Sequence, residues 1–163
     1  MFSKRLLSAL NEQVKNELYS AYLYLGMAAY LEGENLPGMA RWMRVQSREE
    51  VGHAMKLFDF IVERGGKVEL AALERPATQY DSPAAAFAAA LEHEQKVTAM
   101  IHHLYALALE EQDYPTQVML HWFIEEQVEE EANVGRTAEM VAAAGGQRWA
   151  LLLLDEKLAE RQE

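Results

Sequence analysis

Glu50 and His53 lie three residues apart within Glu49-Glu50-Val51-Gly52-His53. On an α-helix that spacing puts both side chains on one face, where a carboxylate and an imidazole can hold one cation between them. A lone pair of this kind is common by chance. Glu17, Glu94 and Glu130 make it harder to dismiss, because each falls mid-stripe in another apolar, helix-periodic segment. A buried, unpaired carboxylate must be protonated, paired or bound to a metal. No Lys or Arg occupies the matching stripe positions. Several carboxylates brought together cannot all stay ionised unaided, and a pair of divalent cations resolves that conflict. Oxygen ligands with one imidazole suit iron or manganese, and zinc can take the same groups.

Three further features surround this set. Gln127-x-x-Glu130 repeats the three-residue spacing with an amide in place of the imidazole; Gln127 reads either as a buried hydrogen-bonder or as a group beside the metals. Tyr24 lies two turns from Glu17 on the same face, as a core aromatic whose hydroxyl reaches a polar group or as a participant beside the metals. In the run Glu125-Glu126-Gln127-Val128-Glu129-Glu130-Glu131, Glu126 and Glu129 flank Glu130 on the core side. With Glu49 they form a candidate third cation site, the alternative being a solvated acidic face, which is the reading for Glu125 and Glu131. His93, His102, His103 and His121 do not share the central stripes and read as surface or interface residues. The methionines read as core filler.

The elements that must position these groups follow from proline, glycine and apolar period. A first helix spans about Ser3 to Leu31 and ends near Glu32 and Gly33. Pro37 opens a second that stops at Gly65-Gly66. Residues 67–81 have no clear period. Ser82-Pro83 reads as an N-cap and first-turn proline for a third helix running to about Gln112. Asp113-Tyr114-Pro115 opens a fourth that stops near Gly145-Gly146, and a short fifth covers about Arg148 to Ala159. The stripes are Leu6, Leu10, Glu17, Tyr24, Ala28 and Leu31; Met39, Met43, Glu50, His53, Leu57 and Ile61; Phe87, Leu91, Glu94, Val97, Ile101 and Tyr105; and Met119, Leu120, Phe123, Gln127, Glu130, Val134 and Val141. Each carries its polar intruder near the helix middle, so in a bundle the intruders meet at one level. The fold class is all-α, a four-helix bundle with short links on either side of a long crossover between helices 2 and 3, and a short fifth C-terminal helix. The whole of 1–163 reads as one domain.

Composition narrows the chemistry. The chain has 163 residues, no cysteine and a formal net charge of -11. Thiolate zinc sites, iron–sulfur clusters, disulfides and cysteine nucleophiles are excluded. The acidic balance disfavours nucleic acid and anionic membranes as partners and favours cations. The longest apolar run, Leu18 to Leu31, is interrupted and shorter than the roughly 20 residues a membrane span needs. Asn11, Glu12 and Gln13 cut off any apolar stretch behind Lys4 and Arg5, so the expectation is a soluble cytoplasmic protein. Tyr19, Tyr22, Leu23 and Tyr30 make the first helix apolar away from Glu17 as well. Trp149, Leu151 to Leu154 and Leu158 give the tail helix an apolar patch. Both predict burial against partners, the alternative for the tail helix being that it folds against its own bundle.

Several segments together resemble the bacterial-type non-haem ferritins: Asn11-Glu12-Gln13 with Glu17-Leu18-Tyr19-Ser20, Glu49-Glu50-x-x-His53, His93-Glu94-Gln95, Gln112-Asp113-Tyr114-Pro115-Thr116, and Glu126-Gln127-x-Glu129-Glu130-Glu131. The resemblance covers essentially the whole chain and implies the ferritin-like form of the bundle. It implies a ferroxidase and iron store in which Glu17, Glu50 and His53 bind a first iron. Glu50, as a bridge, joins Glu94 and Glu130 at a second, with Gln127 and Tyr24 beside the pair. Glu49, Glu126, Glu129 and Glu130 hold a third. It also implies a hollow homo-oligomer of twenty-four subunits storing a ferric mineral, with dioxygen or hydrogen peroxide as oxidant. No haem is expected, since no methionine is singled out for it. Haem-binding bacterioferritins and rubrerythrins carry a second Glu-x-x-His where this chain has Gln127-x-x-Glu130, and rubrerythrins need a cysteine-rich domain. The rival readings are a storage bundle whose carboxylates only nucleate mineral, and a di-metal peroxidase or oxygenase acting on another substrate.

Overall fold

A computed structural model describes residues 1–161. The chain forms α1 (Lys4–Gly33), α2 (Pro37–Glu63), α3 (Pro83–Glu110), α4 (Tyr114–Ala143) and α5 (Arg148–Leu158). The starts are those the capping residues dictate. Ser3 Oγ accepts from Leu6 N at 3.0 Å, Ser82 Oγ from Ala85 N at 3.1 Å, and Asp113 Oδ1 from Thr116 N at 3.1 Å. Each satisfies an amide that the first turn leaves open. The first three helices stop in the same manner. A residue with left-handed backbone (Asn35, φ 55°; Gly65, φ 73°; Gln112, φ 53°) is followed by an amide reaching back five residues. These bonds are Leu36 N to Leu31 O, Gly66 N to Ile61 O and Asp113 N to Ala108 O, at 3.0, 2.8 and 3.0 Å. This closure satisfies the last carbonyls of each helix and turns the chain sharply.

α1 packs along α2, α3 along α4, and α1 also meets α3. Residues 67–81, non-helical as expected, run along the outer face of α1. Asn11 pins the start of this crossover, its Nδ2 donating to Lys67 O at 3.1 Å and its Oδ1 accepting from Glu69 N at 2.8 Å. Further along, Gly26 lies so close that a Cβ there would stand 2.4 Å from the Ala77 carbonyl oxygen. At the far end Tyr80 meets Tyr30 edge-on, ring centroids 5.3 Å apart. Leu23 and Tyr30 are thereby buried within the subunit. The second apolar face of α1, expected to need a partner, is therefore largely covered by the chain's own crossover; Tyr22 and Leu25 stay exposed.

α5 docks on the start of α2. The residue preceding α2, Leu36, offers no side-chain cap. Asp155 supplies one from α5, its Oδ1 accepting from Met39 N at 2.7 Å. Of the expected apolar patch, Leu151 and Leu158 are buried within the subunit, whereas Trp149, Leu152 and Leu153 remain exposed. No helix among the described residues is long and apolar enough to cross a membrane.

The core is divided. One apolar cluster contains Met27, Leu31, Met39, Met43, Phe87 and Val134, and a second contains Leu6, Leu10, Leu57, Ile61, Ile101 and Phe123. Between them lies a layer of buried polar groups: Glu17, Glu50, His53, Glu94, Gln127 and Glu130. The four helix middles meet at one level, as the stripes predict.

Candidate metal centre

Every polar group predicted for the centre is buried. Glu17 and Glu50 are 1% exposed, Glu94 0%, Gln127 2%, Glu130 4% and His53 5%. The stripe neighbours Leu91, Tyr105 and Met119 are only half-buried.

Glu17 and Glu50 form the heart of the site with His53. One carboxylate oxygen of each and a His53 ring nitrogen lie within 4.8 Å of one another. His53 Nδ1 stands 3.4 Å from Glu50 Oε2. Gln13, one turn before Glu17, donates to Glu17 Oε1 at 2.7 Å. The remaining atoms, Glu17 Oε2, both oxygens of Glu50 and His53 Nδ1, are buried with no hydrogen-bond partner among the described residues. Native interiors rarely leave such atoms unpaired. Here they are mutually close and share one chemistry: all are lone-pair donors to a cation. Trp122 and Phe123 wall the imidazole, with ring centroids 5.4 and 6.2 Å from it.

Glu94 and Glu130 are held differently. Tyr24 donates a short hydrogen bond to Glu94 Oε1, and Gln127 Nε2 donates to Glu94 Oε2 at 3.2 Å. The amide of Gln127 also reaches Thr98 Oγ1 at 3.2 Å. Gln46 donates to Glu130 Oε2 at 2.8 Å. A second group brings together His53, Glu126 and Glu130, with His53 Nε2 3.8 Å from Glu126 Oε1. Glu94 lies in the same layer but outside both groups, because it is turned to its two donors. Gln127 and Tyr24 thus act as hydrogen-bond donors to Glu94, one of the two readings left open for each.

The outer acidic set is only partly assembled. Glu126 and Glu49 are half-buried, and Glu129 is exposed and outside both groups. Glu49 is paired with Arg161, whose Nη2 lies 2.7 Å from Glu49 Oε2. Glu125 is exposed, as expected, whereas Glu131 Oε1 accepts from Thr98 at 2.6 Å. His102, His103 and His121 are exposed. His93, read as a surface or interface residue, is half-buried, with Nε2 2.7 Å from Ser20 Oγ, and burial, with help from Lys96, pushes its pKa down to about 4.

Crowding of carboxylates shows in their protonation. Burial and then the neighbouring Glu50 raise Glu17 well above the ordinary carboxylate range. Burial and then Glu94 do the same to Glu50. Glu94 is raised by burial, against the opposing pull of Tyr24 and Gln127. Burial and then Glu94 push Glu130 up to about 7, with Gln46 opposing. Among the described residues none of these four carboxylates pairs with Lys or Arg. Two divalent cations carry the charge that would balance four ionised carboxylates, so cation binding here would be accompanied by release of protons.

Sequence reasoning did not reach Gln13, Gln46, Thr98 or Arg161. Gln13 and Gln46 each stand four residues before a central glutamate, a same-face spacing that could have revealed them. Arg161 carried no such signal, because its contact depends on where the segment after α5 returns.

A helical bundle with a buried carboxylate layer, one Glu-x-x-His and a crossover between its second and third helices defines the ferritin-like class of metal-binding bundles. A family model described as "Ferritin-like domain" matches residues 7–142. A bacterial non-heme ferritin of Bacteroides fragilis (strain 638R) is 37% identical over 161 residues, covering 99% of this chain and 100% of the relative. One from Staphylococcus aureus (strain MRSA252) is 36% identical, covering 99% and 97%. Among solved structures, the open pore ferritin of the hyperthermophilic archaeon Archaeoglobus fulgidus superposes with a TM-score of 0.97 at 48% identity, covering 99% of this chain and 100% of that one. A humanized archaeal ferritin gives 0.98 at 45%, covering both chains fully. The chain belongs to the ferritin family.

Proposed function

We propose that the protein is an iron store with ferroxidase activity, oxidising Fe(II) at a dinuclear centre and keeping the ferric product as mineral inside a homo-oligomeric shell. The observation that carries this reading is the convergence of unpartnered, buried oxygens of Glu17 and Glu50 on the unpartnered Nδ1 of His53. Ferrous ions are the substrate. Glu17, Glu50 and His53 hold the first; Glu50 bridges to the second, which Glu94 and Glu130 complete. Gln127 and Tyr24 orient Glu94. Glu49, Glu126, Glu129 and Glu130 provide a third position toward which oxidised iron leaves.

Dioxygen or hydrogen peroxide takes one electron from each of the two ferrous ions. The anionic ligand set favours the more highly charged ferric product, which supplies the electrostatic drive. Apolar clusters on both sides of the layer leave little room for an organic substrate, which disfavours an oxygenase. The solved relatives and the exposed apolar face of α5 support assembly into a shell, proposed here as twenty-four subunits in the cytoplasm.

Glu50→Ala removes the bridge. Stopped-flow mixing of Fe(II) with oxygen is expected to show fast oxidation of about two irons per wild-type subunit, and loss of that phase in the variant with the shell intact by solution scattering. Unchanged fast oxidation in the variant overturns the assignment. Absence of the fast phase in the wild type leaves a bundle that only nucleates mineral.

A further inference from the structure

Arg161 is placed unlike an ordinary surface arginine. It follows α5 by three residues, yet its guanidinium reaches Glu49 and Gln46 beside the buried carboxylate layer. Its Nη2 donates to Glu49 Oε2 at 2.7 Å and, in a shorter bond, to Gln46 Oε1. Gln46 in turn donates to Glu130 at 2.8 Å. The guanidinium lies over the Trp42 ring, 4.4 Å from its centroid. The side chain is only 20% exposed. It forms one edge of a groove of about 630 Å³ lined also by Trp42, Asn133, Thr137 and Met140. One positive charge is therefore anchored by a carboxylate, an amide and an aromatic face at once, which fixes its position far better than a mobile surface pair does.

Glu49 cannot serve two cations equally. In the proposed third position it is a ligand; beside Arg161 it is already neutralised. We propose that Arg161 is a built-in counter-cation for the third site, holding Glu49 while no ion is there and having to swing off it for an ion to be held. Loading of the third position is then coupled to release of Arg161 from Glu49 and Gln46. Because Gln46 links Arg161 to Glu130, the carboxylate shared with the central pair, the same movement loosens one hydrogen bond on the dinuclear centre. This inference rests on the third-site reading given above.

Anaerobic calorimetric titration of Fe(II) into the full shell tests it, using wild type, Arg161→Gln, Arg161→Lys and Glu49→Gln. The wild type is expected to bind two tight equivalents and a weaker third. Arg161→Gln should tighten the third by roughly three- to tenfold, while Arg161→Lys, which keeps the charge, should stay nearer the wild type. Added salt should weaken the third equivalent more steeply in Arg161→Gln than in the wild type, where it also screens the competing pair. A merely structural Arg161 would produce neither difference. Three equivalents of unchanged affinity and unchanged salt dependence in Arg161→Gln overturn the counter-cation alone. Two equivalents in every protein, Glu49→Gln included, remove the third site and the counter-cation with it.

Discussion

Replacing Glu130 by glutamine is expected to stabilise the metal-free protein at alkaline pH and to change little at acid pH. The carboxyl is 4% exposed, and its pKa stands at about 7 instead of the ordinary 4.5. The folded state therefore binds a proton more tightly than the unfolded chain. Stability from this group is complete below about 4.5 and falls as pH rises to about 7, because the unfolded chain gives up its proton first. Above pH 7 the full shift is felt, a cost of about 3 kcal/mol per subunit. Glutamine has nearly the same shape, never ionises, and keeps an oxygen to accept from Gln46. At pH 8 the metal-free variant should thus gain up to about 3 kcal/mol, which for a domain of this size is roughly 5–10 °C in Tm. At pH 5 the two proteins should melt close together. Saturating Zn(II) should reverse the order at pH 8, since cation binding stabilises only a fold that holds the cation. Calorimetric scans of chelator-treated shells, at matched scan rate and subunit concentration, measure all three comparisons. A variant less stable than wild type at pH 8, or an equal difference at both pH values, refutes the idea that uncompensated carboxylate charge is what this layer costs.

Tyr24→Phe removes a donor that holds the Glu94 pKa down; cation binding at pH 7 should then release more protons, read from titrations in buffers of different ionisation enthalpy. Gly26→Ala places a methyl 2.4 Å from the Ala77 carbonyl oxygen, so the crossover must lift from α1 at a cost on the order of 1–3 kcal/mol, visible as a lower Tm. A Tm equal to wild type would mean that the crossover is not held against α1 as described.

The helices and the central layer were legible because each has a local cause. Ser3, Ser82 and Asp113 are caps whose side chains act within three residues, and the prolines behind the last two fix where α3 and α4 begin. Glu17, Glu50, Glu94 and Glu130 could be found because an ionisable group breaks an apolar stripe, and stripe membership depends only on helical period. What could not be read is what depends on one segment meeting another. Asp155 caps a helix 116 residues away, and Arg161 reaches a glutamate 112 residues away. Neither breaks a local pattern. The cover over α1 belongs here too: Tyr30 and Leu23 announced that α1 needs burial on a second side, but an aperiodic segment gives no sign of which face it will cross.

The division of the core explains how the bundle tolerates its centre. The polar layer is a net cost when metal-free, since four carboxylates are buried around one imidazole with no Lys or Arg partner among the described residues. The apolar clusters on each side must carry the fold alone. Burial of large apolar side chains contributes roughly 1.5–3 kcal/mol each, and both clusters hold many that are fully buried. Stability therefore sits in two places that flank the chemistry and need not change when cations come and go. On the proposed reading, the layer can stay poorly satisfied because its affinity for cations depends on it. A substitution that neutralised or paired these carboxylates would make a more stable protein and a weaker site. The asymmetry of the layer follows the same logic. Glu94 is supported by Tyr24 and Gln127, and Glu130 by Gln46, whereas neither oxygen of Glu50 has a hydrogen-bond partner among the described residues. The least satisfied group is the one proposed to touch both cations, and on that proposal the strongest drive for binding would lie at the bridge.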